Sequence, residues 1–235
     1  MNLDFSTEQI EELYEKGLEY LEQDDTAMAA EQFRAAASKN HVLSQLELGK
    51  LIIADPKLGS PKEAAGYFRS AAEAGDPEAQ SLLGRMYLDG EGVEQSDKKA
   101  FKWISLAAEQ DEPYALDYLG YMHYEGRGTE QSFEKALDCF VKSAEEGNPE
   151  GAFNAASMYL QGEGTDTDLF KAEEYFLMAA DSGDPMALTE LAKIYLKTDS
   201  ARIPELEQRF KELLEEDERL LEDYEEFRKV ISGLQ

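Results

Sequence analysis

Residues 77–112 read PEAQSLLGRMYLDGEGVEQSDKKAFKWISLAAEQDE, and the same outline returns along the chain. Dipeptides ending in proline fall at Asp76-Pro77, Glu112-Pro113, Asn148-Pro149 and Asp184-Pro185, each 36 residues after the last. Gly84, Gly120, Ala156 and Ala192 keep that step, as do Ala64, Ala100, Ala136 and Ala172. A further unit precedes these with Gly49 and a loop one residue shorter. Several registers sharing one period identify a repeat array.

Each unit reads as two helices. The first, helix A, opens on an Asp or Asn cap with proline at the first helical position, where a missing N–H costs nothing. It stops at Gly90-Glu91-Gly92, Gly126-Arg127-Gly128 or Gly162-Glu163-Gly164. The second, helix B, is capped at Ser60, Ser96, Ser132 and Asp168, and Ser60 with Glu63 forms a capping-box pattern. Helix B ends at Gly75, Asp111, Gly147 and Gly183, where a left-handed residue is needed.

The ends differ from the middle. Residues 7–40 read as a helix pair near 7–22 and 26–39. Pro204 starts a helix expected to run to about residue 231, with Leu206, Phe210, Leu213, Leu220, Tyr224, Phe227 and Ile231 as an apolar stripe broken by Asp217. Terminal repeats are atypical because they close an otherwise open core. The expected architecture is all-α: a right-handed solenoid of about six helix-turn-helix repeats with an atypical long C-terminal helix. Its expected parts are residues 1–40 as a cap, 41–184 as four repeats, and 185–235 as the last repeat helix plus the capping helix, in one continuous domain.

The motif in residues 77–112 resembles the Sel1-like repeat, a tetratricopeptide relative, through Ala79, Leu83, Gly84, Tyr87, Gly90, Gly92, Val93, Lys99, Ala100, Trp103, Ala107 and Ala108. Asp97 stands one place past the position that the pattern gives to Asp. The resemblance covers about residues 41–197, while 7–40 is closer to a plain tetratricopeptide unit. It implies an α-solenoid and says little of function, because it records packing positions. Some secreted members pair cysteines within each unit and are associated with penicillin binding. This chain has one cysteine, so that association does not carry over.

The chain holds 23 basic and 51 acidic residues, a net charge of −28. That balance argues against binding phosphate backbones or anionic lipid by charge neutralisation. The 42% hydrophobic content is too high for a disordered acidic tail. Cys139 alone permits no internal disulfide. The first residues, MNLDFSTEQIEELYEKG, lack a basic start and an apolar run, so a cleaved signal is not expected and a cytoplasmic setting is.

Catalytic and metal chemistry find little support. Ser96-Asp97-Lys98-Lys99 and Ser132-Phe133-Glu134-Lys135 match S-x-x-K, yet both serines sit where the repeat needs a helix cap. Lys197-Thr198-Asp199 is not K-T-G. His123 shares a row with Ile52, Tyr87, Tyr159 and Tyr195, which marks it as a packed ring. His41 sits at a turn, and two distant histidines make no zinc site. Cys139 aligns with Tyr67, Trp103 and Tyr175 and reads as a buried thiol. The acidic loops lack the ligand order of a calcium loop, and the G-x-G turns follow no strand. No enzyme, cofactor or metal is expected.

What remains is surface. With helix A lining a concave face, the positions after each small residue are Lys50, Arg85, Tyr121, Ser157 and Lys193. Ser81, Asp117 and Phe153 lie one turn earlier and Tyr124 one turn later, and Tyr114 extends the aromatic strip. These residues suggest a groove for a partner peptide or helix, since tyrosine joins a rigid apolar face to a polar tip. The same tyrosines also suit packing on the next repeat, and both readings stand at this point. The expected function is a protein-interaction adaptor. The alternative is an acidic inhibitor or immunity-type protein sequestering a basic partner, and the C-terminal stripe offers a route to a homodimer.

Overall fold

The computed structural model describes residues 6–233, and every described element is helical. The pairs, A then B, are α1 (Thr7–Glu22) with α2 (Thr26–Ala37), α3 (Val42–Ala54) with α4 (Pro61–Glu73), and α5 (Pro77–Asp89) with α6 (Asp97–Ala108). They continue with α7 (Pro113–Glu125) and α8 (Phe133–Glu145), α9 (Pro149–Gln161) and α10 (Leu169–Asp181), and α11 (Pro185–Thr198) and α12 (Ile203–Glu216). A last helix, α13 (Leu221–Ser232), follows.

Capping chemistry sets the boundaries. Asp76, Asn148 and Asp184 side chains accept backbone N–H bonds ahead of proline-initiated helices. Ser60, Ser96 and Ser132 accept from the N–H three residues on, at 3.3, 3.4 and 3.3 Å. The Glu63 carboxylate meets Arg34 at 3.5 Å, whereas a complete capping box forms at Ser6 and Gln9. Helix B exits through residues of positive φ, including Asp111 at 59° and Gly147 at 90°.

Within each pair, a small residue on helix A admits a bulky one from helix B. A Cβ on Gly49 would lie 2.5 Å from the Phe68 ring, so alanine there cannot coexist with the seated ring. Alanines fill the remaining contacts: Ala64, Ala71, Ala100, Ala107, Ala172 and Ala179 are all fully buried. Close helix approach built on small side chains leaves few gaps, which is how interiors reach crystal-like density.

The contacts divide the chain into two compact units. One comprises Met1–Tyr118 with Arg127–Glu130, the other Leu119–Gly126 with Gln131–Gln235. Helix α7 gives its first half to one unit and its second half to the other.

The second unit corrects one expectation. The long C-terminal helix is two helices, broken at Asp217, whose backbone is extended and whose carboxylate accepts from the Arg219 N–H. The break lets α13 fold back onto α11. The apolar stripe is thereby used inside the chain: Leu206, Phe210 and Phe227 are buried, and Phe227 and Tyr224 both pack against the Phe210 ring. No described helix is long and apolar enough to cross a membrane.

Candidate functional site

The predicted surface row falls into two sets, one per unit. In the first unit, Lys50 is half-buried on α3 and lies 2.7 Å from Glu47 and 3.2 Å from Glu78. Burial pulls its pKa down, but hydrogen bonds and attraction from the two carboxylates outweigh that and the net shift is upward. Arg85 on α5 is half-exposed, and Tyr114 and Asp117 lie on the first half of α7, exposed and half-buried respectively. Ser81 is a correction: at 4% exposure it belongs to the α5 core face and offers nothing to a ligand.

The second unit holds the better-formed site. Tyr121, 46% exposed, and Tyr124 come from α7, and Ser157 from α9. With Phe140, Asn154, Met158, Gln161 and Glu163 they line a cleft of about 140 Å³. Tyr124 lays its ring edge-on against Phe133, with centroids 5.0 Å apart. Its phenol hydrogen-bonds to the Glu163 carboxylate, which pushes its pKa up, and burial adds to the effect. The Ser157 hydroxyl donates to the Phe153 carbonyl at 2.9 Å. Phe153 itself is half-buried edge-on against Phe176, at the rim of the core rather than on an open face. Packing and surface thus divide the residues of α7 and α9: Tyr124 and Phe153 pack against neighbouring rings, Tyr121 is exposed and Ser157 is half-buried.

Lys193, the last member, is exposed on α11 and pairs with Glu190 at 2.6 Å. Sequence reading passed over these acidic neighbours. The Glu47–Lys50 and Glu190–Lys193 spacing of three was the available signal, since residues so spaced share a helix face. Glu78 was not so accessible, because it reaches Lys50 from another helix. The charges of Lys50 and Lys193 are therefore largely compensated.

The candidates read as structural hold that role. Ser96 and Ser132 are helix caps. His123 is buried, and its carbonyl accepts the Ser132 N–H at 2.8 Å. Burial pushes the Cys139 thiol up to about 11, away from the thiolate form a nucleophile needs. His41 caps α3 through Nδ1, which accepts from Ser44 N, while Nε2 faces Glu11 at 3.3 Å. No group of three or more His, Cys, Asp or Glu suited to a metal occurs among the described residues.

A further row emerges from the fold. Lys99 and Lys171, two repeats apart, lie over the Tyr87 and Tyr159 rings at 5.2 and 4.8 Å from their centroids. Arg202 does the same for Tyr195 at 4.0 Å and bonds the Glu173 carboxylate, which also accepts from the Tyr195 hydroxyl at 3.0 Å. The recurring lysine of the repeat is thus a lid on the helix-A tyrosine. Cation–π contact of this kind contributes about 0.5–1 kcal/mol at exposed sites.

Repeated A/B helix pairs with an aromatic, polar helix-A surface define a helical-repeat protein. The Sel1 repeat matches residues 12–41, 44–76, 77–112, 113–148 and 149–184, and the chain belongs to the Sel1 repeat family. Proteins built on these repeats generally mediate protein–protein interactions and are generally non-catalytic. The fold is similar to that of c5321, described as a protective antigen of uropathogenic Escherichia coli strains displaying an SLR fold, at TM-score 0.81 and 25% identity over 96% of this chain and 49% of that one. It is also similar to a Sel1 repeat protein from Oxalobacter formigenes, at TM-score 0.77 and 27% identity, covering 87% and 84% of the two chains. An uncharacterized protein, NMB1327, of Neisseria meningitidis serogroup B is 36% identical over 76 residues. That match covers 32% of this chain and 15% of the relative, so the chain spans a small part of it and about half of c5321.

Proposed function

We propose that the chain is a protein-interaction adaptor and that the α7–α9 face of the second unit docks a peptide or helix of its partner. The observation that carries this is the cleft lined by exposed Tyr121 and half-buried Ser157, in which neighbouring Tyr124 is held by Glu163 and by its edge contact with Phe133. A rigid backing lets an exposed tyrosine be buried by a partner at little conformational cost, which is the property of an interface anchor. In the first unit, Lys50, Arg85, Tyr114 and Asp117 occupy the corresponding helix-A positions and form a second contact surface.

A photoreactive benzoylphenylalanine replacing Tyr121, compared with one replacing the exposed Glu134 on α8, tests the assignment. Partner crosslinking is expected from position 121 and absent from 134. Equal crosslinking from both would remove it. The reading in which the acidic surface captures a basic partner predicts crosslinking that disappears in high salt, because attraction between exposed charges is screened.

A further inference from the structure

The fold-back of α13 creates a cleft that neither helix has alone. Its volume is about 560 Å³, within the range of about 300–1,000 Å³ usual for ligand pockets. Lys193 and Lys197 of α11 and Lys229 of α13 converge on it, with Glu226 as the one carboxylate in its lining. Leu196 and Val230 supply an apolar wall. A second hollow of about 300 Å³ shares Lys193 and Lys197, includes the Glu190 carboxylate paired with Lys193, and continues that wall through Leu160, Leu169 and Ile194.

Three ammonium groups around one hollow are unexpected in a chain with 51 acidic and 23 basic residues. Lys193 pairs with half-buried Glu190 at 2.6 Å and Lys229 with exposed Glu226 at 3.5 Å, each as neighbours three residues apart on one helix. The solvent-exposed Lys229–Glu226 pair is weakly held, so an incoming carboxylate can compete for Lys229. Lys197 has no ion pair among the described residues.

We propose that this cleft receives a short acidic segment of a partner protein, one or two carboxylates beside an aliphatic side chain. The proposal rests on the interaction-adaptor reading and specifies the partner's chemistry. The three lysines match the carboxylates, and Leu196 with Val230 match the aliphatic group. The chain's net charge of −28 sets the limit on the ligand's charge: a polyanion such as nucleic acid is repelled by the whole surface, whereas a ligand with one or two charges gains locally and draws the rest of its affinity from apolar burial. Lysines, being point charges without the planar fork of arginine, hold a carboxylate without demanding one orientation.

The test is titration of the intact, ¹⁵N-labelled chain with an acetylated, amidated hexapeptide, Gly-Leu-Glu-Leu-Glu-Gly, and with its Leu-Gln-Leu-Gln counterpart. The glutamate peptide is expected to shift the backbone amides of Lys197, Lys229 and Gly233 saturably, and the glutamine peptide to bind at least about fivefold more weakly. The Lys197→Glu/Lys229→Glu variant should lose about tenfold in affinity, and the milder Lys197→Gln/Lys229→Gln variant a smaller part of it. Unshifted amides at millimolar peptide, or equal shifts from both peptides, would overturn the proposal. Inorganic phosphate reproducing the same shifts would also overturn it, reassigning the cleft to small anions. Crosslinking from position 121 reports independently: its survival with a silent peptide titration removes the cleft alone, and loss of both removes the adaptor reading as well.

Discussion

Gly128 lies against the backbone carbonyl of Asp97, so closely that a Cβ built on it would stand 2.3 Å from the carbonyl oxygen. Gly92 stands in the same relation to Pro61, at 2.3 Å, and Gly164 to Phe133, at 2.5 Å. The second glycine of each G-x-G turn thus presses flat on the first turn of the preceding helix B. These glycines also hold φ near +70°, so both shape and conformation ask for a missing side chain.

Replacing Gly92 with alanine should therefore destabilise the chain by roughly 2–4 kcal/mol, combining left-handed strain with overpacking. Gly75, at φ 101° with nothing within 4 Å of a built Cβ, isolates the conformational part. Gly75→Ala should cost about 1–2 kcal/mol. Urea unfolding of both variants reads the difference; equal losses would mean the backbone contact is without consequence.

Ser132→Ala should cost about 1 kcal/mol and Ser132→Asp almost nothing, because what the site needs is an oxygen accepting the Lys135 N–H. Thermal unfolding of the pair checks this. A nucleophilic serine would show the opposite tolerance, with an activity abolished by aspartate.

Truncating Phe227 to alanine empties a site that is fully buried between α11, α12 and α13, and should cost about 3–5 kcal/mol. If the stripe serves the chain's own core, light scattering before unfolding should give the same molar mass for variant and wild type. A halved mass in the variant would show that the stripe joins two copies.

Burial first, and then the hydrogen bond to Glu173, hold the Tyr195 hydroxyl above its ordinary pKa of 10.0. A raised folded pKa means the unfolded chain gives up this proton earlier. Stability from this group is then complete below pH 10 and declines as pH climbs above it. Tyr195→Phe should show a shallower alkaline decline in a pH series of unfolding curves. An unchanged slope would place the alkaline sensitivity elsewhere, Tyr175 and Tyr14 being raised as well, mainly by burial.

Asp217 shows the opposite case at the α12–α13 break. Hydrogen bonds from the Arg219 side chain and backbone lower its carboxyl from 3.8 to about 2. The contribution of this group is present above the ordinary carboxylate value and is lost as pH falls through about 2. Carboxyl-carbon NMR should find that titration near pH 2 in the wild type. In Arg219→Ala it should lie closer to the ordinary value. A wild-type titration already near 3.8 would remove the Arg219 contact.

Much of the architecture was legible because repeats write each local rule several times. One Ser three residues before a Lys is ambiguous; the same pair at 96–99 and 132–135, each opening helix B, reads as a cap. His123 was legible as a packed ring for the same reason, since tyrosines hold its place at 87, 159 and 195. Ser81 was not, because the exposed and core faces of one helix adjoin and helical phase alone does not divide them at their border. The partners of Lys50 and Lys193 were likewise outside the row of one position per repeat, since those glutamates lie one turn away or on a neighbouring helix.

The amino-acid order by itself determined what is local and periodic: the caps, the G-x-G exits, the small-against-bulky alternation between helices A and B, and membership of a repeat family. Each depends on neighbours within about 36 residues, so a linear pattern contains it. Only the tertiary structure decided the break at Asp217, the return of α13 onto α11 and the lysine-lined cleft between them. The apolar stripe from Leu206 to Ile231 is compatible with one straight helix or two folded ones. The choice falls to whichever buries Phe210 and Phe227, and that depends on α11, a surface the stripe does not encode.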